Sequence, residues 1–492
     1  MNTQDAVSLI SAKREVRVPF KLLVEKSGHG LVELTFQTIL RLLPSKRIVA
    51  LAQYEGEEVL VKTFLGRTAN KNAFRERVGV LAIAQSGVNT PELLWEGEIE
   101  DGRVLVFRYL PDAISLAEQW ATATDSDSRI KILSVVMKVI ASLHKHGVIQ
   151  NDIHLANFLL SDGRINTIDG GAVDHRGEQT LAEVPSLKNL ALFFAQFYPR
   201  FDVLIDQVFR KYVGYRGWEM TEARLEKFKN EVLRCREFRK RDYIDKSFRD
   251  CTRFKCRRSF DRFEVCVRDA CSVELESVME DPDKFIEAGI LLKDGNSATV
   301  ALVHLGTRSF VVKRYNVKSF WHGLSRIFRK TRAWHSWGNA HRMNFLGIPA
   351  LNPVAMIETR WGPIKKTAYL VTEYINAPDM LEWLLASTKT EDEIEKSTAE
   401  LEAITSIIKE LSEVQVSHGD LKATNFLMSE EGPVLIDLDG MKDYKSRHRF
   451  EQAFRSDLIR FMDNWRDYPS LRSSFALLLK ELSVQYNVSL LE

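Results

Sequence analysis

Apolar, β-branched runs come early in the chain, Ile48-Val-Ala-Leu-Ala52 and, after a Tyr-Glu-Gly turn, Val59-Leu-Val-Lys62-Thr-Phe64. Short runs of this kind on either side of a turn predict paired strands. Residues 70 to 86 take up helical spacing, and 91 to 109 return to strand-like segments ending at Arg108-Tyr109-Leu110. Ile132, Leu133, Val136, Val139, Ile140 and Leu143 then mark one face of an amphipathic helix. The same order returns later. Residues 300–303 and 310–313 read as a hairpin, a helical segment follows, 368–374 read as a strand, and Leu401, Ile404, Ile407, Ile408 and Leu411 as a helix. Strands first and helices second, done twice, predicts an α+β chain of two tandem bilobal units.

Each periodic helix leads into nearly the same sentence. Asp152-Ile-His-Leu-Ala-Asn157-Phe-Leu-Leu-Ser161 is echoed by Asp420-Leu-Lys-Ala-Thr-Asn425-Phe-Leu-Met-Ser429. Twelve residues after each Asn stands an Ile-Asp, Asp169 in one copy and Asp437 in the other. The offset of 268 residues persists through Asn189-Leu190 and Asp457-Leu458. A repeat of this kind defines architecture before any other signal does. The spacing Asp-x4-Asn, followed by an Asp closing an apolar strand, is that of a phosphoryl-transfer centre. An isolated Asp is more often a turn or cap residue, but three matched positions appearing twice weaken that reading.

Phosphoryl transfer depends on positioning and charge neutralisation, so few side chains are needed. Asp152 and Asp420 are the candidates to accept or orient an acceptor hydroxyl's proton. Asn157 and Asn425 offer carbonyl oxygens, and Asp169 and Asp437 carboxylates, of the hard-oxygen type that magnesium binds. Asp439 is a rival to Asp437. Lys62 and Lys313 close sheet strands where a nucleotide's phosphates would be gripped. Glu76, fourteen residues after Lys62, is expected to pair with it, whereas the second unit has Ser336 at that place, so Lys313 is expected to lack a partner. For a phosphate loop the second unit offers Gly295 and Ser297 within Lys293-Asp-Gly-Asn-Ser-Ala-Thr299, able to present backbone N–H groups. The first unit offers Leu43-Pro44-Ser45-Lys46, in which the proline has no N–H to give.

The 492 residues accommodate two large cores, expected as domains at 1–230 and 281–492 with a basic, cysteine-containing helical connector at 231–280. Hydrophobic content of 45%, charged content of 28% and a net charge of +2 describe an ordinary soluble protein and argue against a dedicated nucleic-acid binder. No run of 18 apolar residues and no basic-then-apolar N-terminus is present, so a cytoplasmic protein is expected. The five cysteines, Cys235 to Cys271, read as reduced thiols on helix faces in preference to a zinc site built from Cys251, Cys256, Cys266 and Cys271.

These motifs resemble the lipopolysaccharide core kinases, the heptose and Kdo kinase group often labelled InaA-type. The resemblance rests on Lys313-Arg-Tyr315, Arg329-Lys-Thr-Arg332-Ala333-Trp334, Leu346-Gly-Ile-Pro349, His418-Gly-Asp-Leu-Lys-Ala-Thr-Asn425 and Leu435-Ile-Asp437. In the first unit it rests on Asn151-Asp-Ile-His-Leu-Ala-Asn-Phe-Leu159 and Thr167-Ile-Asp-Gly-Gly171. It spans most of both units and is weakest in residues 1 to 45 and 200 to 285. It implies two protein-kinase-like domains, ATP and Mg2+, and phosphate transfer to a sugar hydroxyl of the lipopolysaccharide inner core or its lipid-linked precursor. Gln150, where the family has His, and Ser336, where it has an acid, depart from the pattern.

Residues 295 to 357 contain no acid but nine Lys or Arg, with Trp321, Trp334 and Trp337 among them. A basic aromatic stretch can lie on an anionic lipid surface, so 313–342 is a candidate for peripheral contact with the inner membrane. The alternative is a solvated helix face whose tryptophans pack inward. Two other functions compete with the sugar kinase: a pseudokinase scaffold in core assembly, and a kinase acting on protein or a small molecule, for which Lys422, two residues after Asp420, speaks.

Overall fold

The computed structural model describes all residues except 1, 176, 178, 317–329, 388–397 and 491–492. The chain mixes helix and sheet throughout and divides into two compact units, Met1–Phe197 with Phe201–Arg236, and Tyr198–Arg200 with Glu237–Glu492.

The first unit opens with a seven-stranded sheet in the order Asn2–Gln4, Phe20–Lys26, Gly30–Leu43, Arg47–Tyr54, Glu57–Leu65, Gly102–Arg108, Leu93–Ile99. Phe20–Lys26 also pairs with Leu93–Ile99 through Glu25↔Glu98 and Lys26↔Gly97, so the sheet closes on itself. Closure hides the edges that a free sheet would expose. Alternate side chains, among them Leu22, Val24, Leu34, Ile48, Ala50, Val59, Val61, Val104 and Val106, fill the interior. Phe20 stacks on Phe36 there, with ring centroids 4.5 Å apart. The opposite face of Glu57–Leu65 and Gly102–Arg108 presents Phe64, Leu105 and Phe107 to Ala69, Ala73 and Val80 of helix Ala69–Gln85.

A helix-rich part follows. Helix Ser126–Lys145 begins at Asp125, whose side chain accepts from Ser128 N at 2.7 Å, and buries Ile130, Leu133, Val136, Met137 and Ile140. Those residues join Leu190, Phe193, Val208, Phe209 and Phe228 in one core. Apolar spacing of 3.6 thus becomes the buried stripe it predicted.

The second unit has its own seven-stranded sheet, in the order Phe254–Arg258, Arg262–Val267, Pro353–Trp361, Ile364–Glu373, Arg308–Tyr315, Ala298–Leu305, Ile290–Gly295. Helix Arg332–Leu346 is capped by Thr331 and stopped by Gly347 at φ +75°. Helices Thr398–Glu413 and Arg447–Asp463 build the helical core with Ile404, Ile408, Leu411, Phe454, Leu458 and Phe461.

Two sequence expectations need correction. Residues 231–280 are not a helical connector throughout: the helix ends at Lys246, and Phe254–Arg258 and Arg262–Val267 are strands of the second sheet. Phe254 is buried at the head of the first strand while Arg257 and Arg258 stay exposed, and in the second strand Phe263 and Val265 are buried between partly exposed Arg262, Glu264 and Val267, a two-residue period beneath the charge. For the same reason Cys256 and Cys266 stand on strands and not on helix faces.

The basic aromatic stretch is also not a free cationic face where it is described. Trp337 is fully buried and donates Nε1 to Ser247 O at 2.9 Å, and Trp334 stacks on Phe248 at 4.1 Å. Arg308, Arg314 and Arg342 approach Glu373, Asp283 and Asp443. The cations find acids that lie elsewhere in the sequence. Lys318, Trp321, Arg326 and Arg329 fall outside the described residues. No helix among the described residues is long and apolar enough to cross a membrane.

Candidate active site

In the first unit the strand Glu57–Leu65 carries Lys62 and the next helix carries Glu76. Lys62 Nζ forms a close ion pair with Glu76 Oε1; Glu76 is fully buried and Lys62 nearly so. The same carboxylate oxygen accepts from Gly170 N at 3.1 Å, which fastens the Asp169 turn to the helix. Gly79 and Gly170 permit that approach, because a Cβ on Gly79 would overlap the Gly170 carbonyl and one on Gly170 would meet Val80 N at 2.6 Å. Asp169 Oδ1 lies 3.9 Å from Lys62 Nζ and 3.8 Å from Arg47 Nη1. Lys62, Glu76 and Asp169 therefore converge.

Asp152 is exposed, and Asn157 Nδ2 donates to its carbonyl at 2.6 Å. That bond leaves the Asn157 carbonyl oxygen for a ligand. Gln150 Nε2 donates to Ile168 O at 2.9 Å, and Asn189 Nδ2 donates to Gln150 O at 2.8 Å. Glu76 Oε2 and Gln150 Oε1 are buried without a hydrogen-bond partner. Buried polar atoms normally find partners, so these orphans mark where the site departs from a sealed core. Ser45 of the expected phosphate loop gives its hydroxyl to Ile10 O at 2.8 Å.

The second unit repeats the frame with different ties. Lys313 does not lack a partner: its Nζ is 2.5 Å from Asp437 Oδ1 and 3.8 Å from Asp439 Oδ1. Without a carboxylate on the helix, the ammonium takes up the acids of the Asp437 turn, 124 residues on. Ser336 instead hydrogen-bonds Tyr315, with the oxygens 2.9 Å apart. Arg332, at the start of that helix, donates Nε to Asp439 Oδ2 at 2.6 Å.

Charge follows this geometry. Burial works against the Lys313 ammonium, but Tyr315, Asp439 and Asp437 outweigh it and hold its pKa above the ordinary lysine value. Burial also disfavours the Asp437 carboxylate, yet the hydrogen bond with Asp439 and the Lys313 charge take it well below the usual range. Asp439 is pushed up to about 6 by burial and by Asp437 beside it.

Asp420 has a denser shell than Asp152. Lys422 Nζ is 3.1 Å from Oδ2 and Arg460 Nη1 3.0 Å from Oδ1, while Asn425 Nδ2 donates to its carbonyl at 2.7 Å and to Oδ2 at 3.3 Å. Burial opposes ionisation there, but Lys422 foremost keeps the carboxyl below its ordinary value. His418 Nε2 bonds Ile436 O at 3.1 Å, and Asp457 accepts from His418 N at 2.7 Å and Gly419 N at 3.0 Å. The expected phosphate loop is a tight hairpin between Gly295 and Ala298, with Gly295 O accepting from Asn316 Nδ2 at 3.0 Å and Ser297 O from Asn316 N at 3.2 Å. Gly295 is not left-handed, and a Cβ there would meet only Ala298 O at 3.5 Å, so the turn itself does not demand glycine.

Asp169 and Asp437 share one further property. Both stand in the left-handed region, at φ +72° and +57°. Few non-glycine residues sit there, and such strain collects at functional sites. Residues not singled out from sequence include Arg47, Arg460 and the anchor Asp457; the 268-residue offset contained Asp457, but its partner position is Asn189, which hid the common role.

Residues 293–467 match the family model described as the lipopolysaccharide kinase (Kdo/WaaP) family. No curated protein matches the chain. Among solved structures the chain is similar to "WaaP in complex with acyl carrier protein", at 16% identity over 44% of this chain and 97% of that one, with a TM-score of 0.32. It is also similar to the M. tuberculosis PknI kinase domain, at 15% identity over 40% and 95% of the two chains, with a TM-score of 0.28.

Proposed function

We propose, residues 293–467 belonging to the lipopolysaccharide kinase (Kdo/WaaP) family, that the chain is an ATP-dependent phosphotransferase acting on a sugar hydroxyl of the lipopolysaccharide inner core. The family match is the observation that carries this reading, and the paired contacts of Lys313 with Asp437 and of Asn425 with Asp420 support it. In this reading each unit is a protein-kinase-like bilobal domain working in the cytoplasm, where ATP is available.

The oxygen donors present suit a hard divalent cation: Asn425 and Asp437 in the second unit, Asn157 and Asp169 in the first. Bound there, Mg2+ would supply neutralisation of phosphate charge. Lys313 would orient phosphate oxygens, and its raised affinity for protons keeps it charged at any working pH. Lys62 would do the same in the first unit, fixed by Glu76. Gly295 and Ser297 would lie against the phosphates through their backbone.

Asp420 would hold the acceptor hydroxyl in line with the phosphoryl group. Its carboxyl is kept ionised by Lys422 and Arg460, which makes it a weak base and favours orienting the hydroxyl over early proton removal. Asp152 is the equivalent group of the first unit. One observation favours a second reading for that unit alone. Arg47 approaches Asp169 and the Ser45 hydroxyl is committed to Ile10, so it could act as a scaffold that does not turn over.

The test is transfer of the ATP γ-phosphate by the full chain to purified core lipopolysaccharide, with protein acceptors in parallel. Asp420→Asn is expected to abolish transfer to the sugar. Unchanged transfer in Asp152→Asn, Asp420→Asn and the double variant would overturn the proposal. Transfer to protein alone would replace the acceptor.

A further inference from the structure

A pair of thiols lies in the second unit's sheet, among side chains the phosphotransfer reading does not use. Cys266 is the penultimate residue of the strand Arg262–Val267, and Cys271 follows the short turn Arg268–Ala270 and precedes helix Val273–Glu280. The turn is fixed at both ends, by Arg268 N to Arg253 O at 2.8 Å and Cys271 N to Arg268 O at 3.2 Å. It brings Cys266 Sγ to 3.5 Å from Cys271 Sγ. The two therefore sit in van der Waals contact, already near the separation at which one sulfur can displace a group from the other.

Their surroundings are polarised. Lys255, opposite Cys266 on the neighbouring strand, holds Nζ 3.9 Å from Cys271 Sγ. Cys271 Sγ is 3.5 Å from Glu276 Oε1, which Lys255 also meets at 2.5 Å. Cys271 Sγ therefore lies against an ammonium and a carboxylate that are themselves paired. Lys255, Cys266, Cys271, Glu276, Met279 and Glu280 line an open cleft of about 360 Å³, wide enough for a small peptide-like ligand. Of the two lining thiols Cys266 is nearly fully buried, whereas Cys271 is half-buried. Cys256 faces the other side of the sheet, with Phe254 and Trp337, and so is removed from the pair.

We propose that Cys271 and Cys266 form a thiol–disulfide exchange site, at which Cys271 attacks a low-molecular-weight disulfide of the glutathione class and Cys266 resolves the adduct. In the first step Cys271 Sγ bonds to one sulfur of the small disulfide, whose S–S bond breaks. The released thiolate takes up the proton that Cys271 lost. In the second step Cys266 gives up its proton and bonds to Cys271 Sγ, the mixed disulfide breaks, and the second small thiol leaves with that proton. Two protein thiols are oxidised and one small disulfide is reduced to two thiols.

The division of labour follows from burial. Cys266 is pushed up to about 12 by burial, then by its hydrogen bond and charge interaction with Cys271. Once Cys271 is a neutral mixed disulfide both contributions from Cys271 vanish, while burial and Glu276 still oppose the Cys266 thiolate and Lys255 favours it. Cys271, the thiol that solvent reaches, is the one that meets the small disulfide first.

The reduced full chain is treated with oxidised glutathione, then alkylated and mapped by mass spectrometry. The wild type is expected to lose two thiols, yield a Cys266–Cys271 cross-linked peptide and retain no glutathione. Cys266→Ser is expected to retain one glutathionyl group on Cys271, and Cys271→Ser none on Cys266. In the Cys266→Ser background, Lys255→Gln should slow adduct formation by about tenfold. Retained glutathione on the wild type, pairing of Cys271 with another cysteine, or a Cys271 no more reactive than Cys235 would overturn the proposal. The wild-type map decides the matter even if a variant fails to fold.

Discussion

Gln150 and Ile168 are joined by a hydrogen bond, Nε2 to O at 2.9 Å, that His418 and Ile436 reproduce at 3.1 Å in the second unit. The two pairs are each offset by 268 residues. Gln and His thus perform one structural task, tying the loop before Asp152 or Asp420 to the strand before Asp169 or Asp437. His418 is pulled below its ordinary pKa chiefly by burial, against which Asp457 acts, so a neutral donor suffices here. His418→Gln is therefore expected to keep the fold, with the melting temperature near that of the wild type. His418→Ala, which leaves Ile436 O unpaired, should cost about 1–3 kcal/mol. Urea unfolding of both variants makes the comparison, and equal losses would remove the shared role.

Lys62 and Glu76 form a buried pair, so breaking it should cost more than deleting it. Glu76→Gln leaves the Lys62 ammonium with the more distant Asp169 as its remaining carboxylate, and a loss of about 3–5 kcal/mol is expected. The double variant Lys62→Met with Glu76→Leu should recover much of that loss. Ser336→Ala removes only the bond to Tyr315, worth about 1 kcal/mol. A double-mutant cycle read by urea unfolding checks the ranking.

Much of this was legible because the chain states it twice. The Lys62–Glu76 pair is local in sequence, fourteen residues apart and one helical face deep, and the spacing alone brings it together. Lys313 finds a partner against expectation because that partner is not local: Asp437 comes from the turn after the Asp420 loop, and no spacing rule connects them. The strands at 254–267 were missed because arginines and lysines crowd both of them and mask the two-residue period of the second. Closure of the first sheet through Phe20–Lys26 lay in the segment where the family resemblance was weakest. Arg332 could have been suspected, since a cation at the head of the Ser336 helix can satisfy an acid that no helix carboxylate competes for.

His144 and His341, buried as His418 is, make stability depend on pH. His144, between Tyr212 Oη and Asn189 Oδ1, is held down to about 4 by burial, and His341 to about 3 by burial and then Arg253. Unfolding lets each bind a proton at its ordinary value of about 6.5, so the unfolded chain takes up more protons between these limits. Stability from this source is complete above about pH 6.5 and is lost as pH falls toward 4. For His144 the loss is on the order of 3 kcal/mol. Urea midpoints measured from pH 7 to pH 4 should fall, and His144→Gln should flatten part of the slope. A slope unchanged in that variant would remove His144 as a source.

Thermal stabilisation by Mg-ATP separates the two units. At 100 times its dissociation constant a ligand adds about 2.7 kcal/mol to the unit that binds it. Asp437→Asn is expected to remove the shift belonging to the second unit and Asp169→Asn any shift belonging to the first. A shift lost only in Asp437→Asn would assign the first unit a scaffold role. A wild type with no shift at all would count against both nucleotide sites.

Asp457 is buried and spends its carboxylate on the backbone N–H groups of His418 and Gly419, directly before Asp420. In the first unit Asn189 takes its place, donates to Gln150 O, and bonds His144 with its other end. The two residues therefore hold equivalent loops from opposite polarities. Asp457→Asn keeps the shape but can point only one oxygen at two N–H donors, so the loop loses a charge-assisted bond and Asp420 gains freedom. Lys313 and Asp437 are not in contact with Asp457, so nucleotide binding should be spared. The expected result is a fall in kcat of about 100-fold, the scale on which slight misplacement of a reacting group acts, with the KM for ATP little changed. Steady-state kinetics with core lipopolysaccharide as acceptor reads both numbers, and a rise in the KM for ATP with kcat preserved would show that Asp457 supports the nucleotide site instead of the acceptor loop.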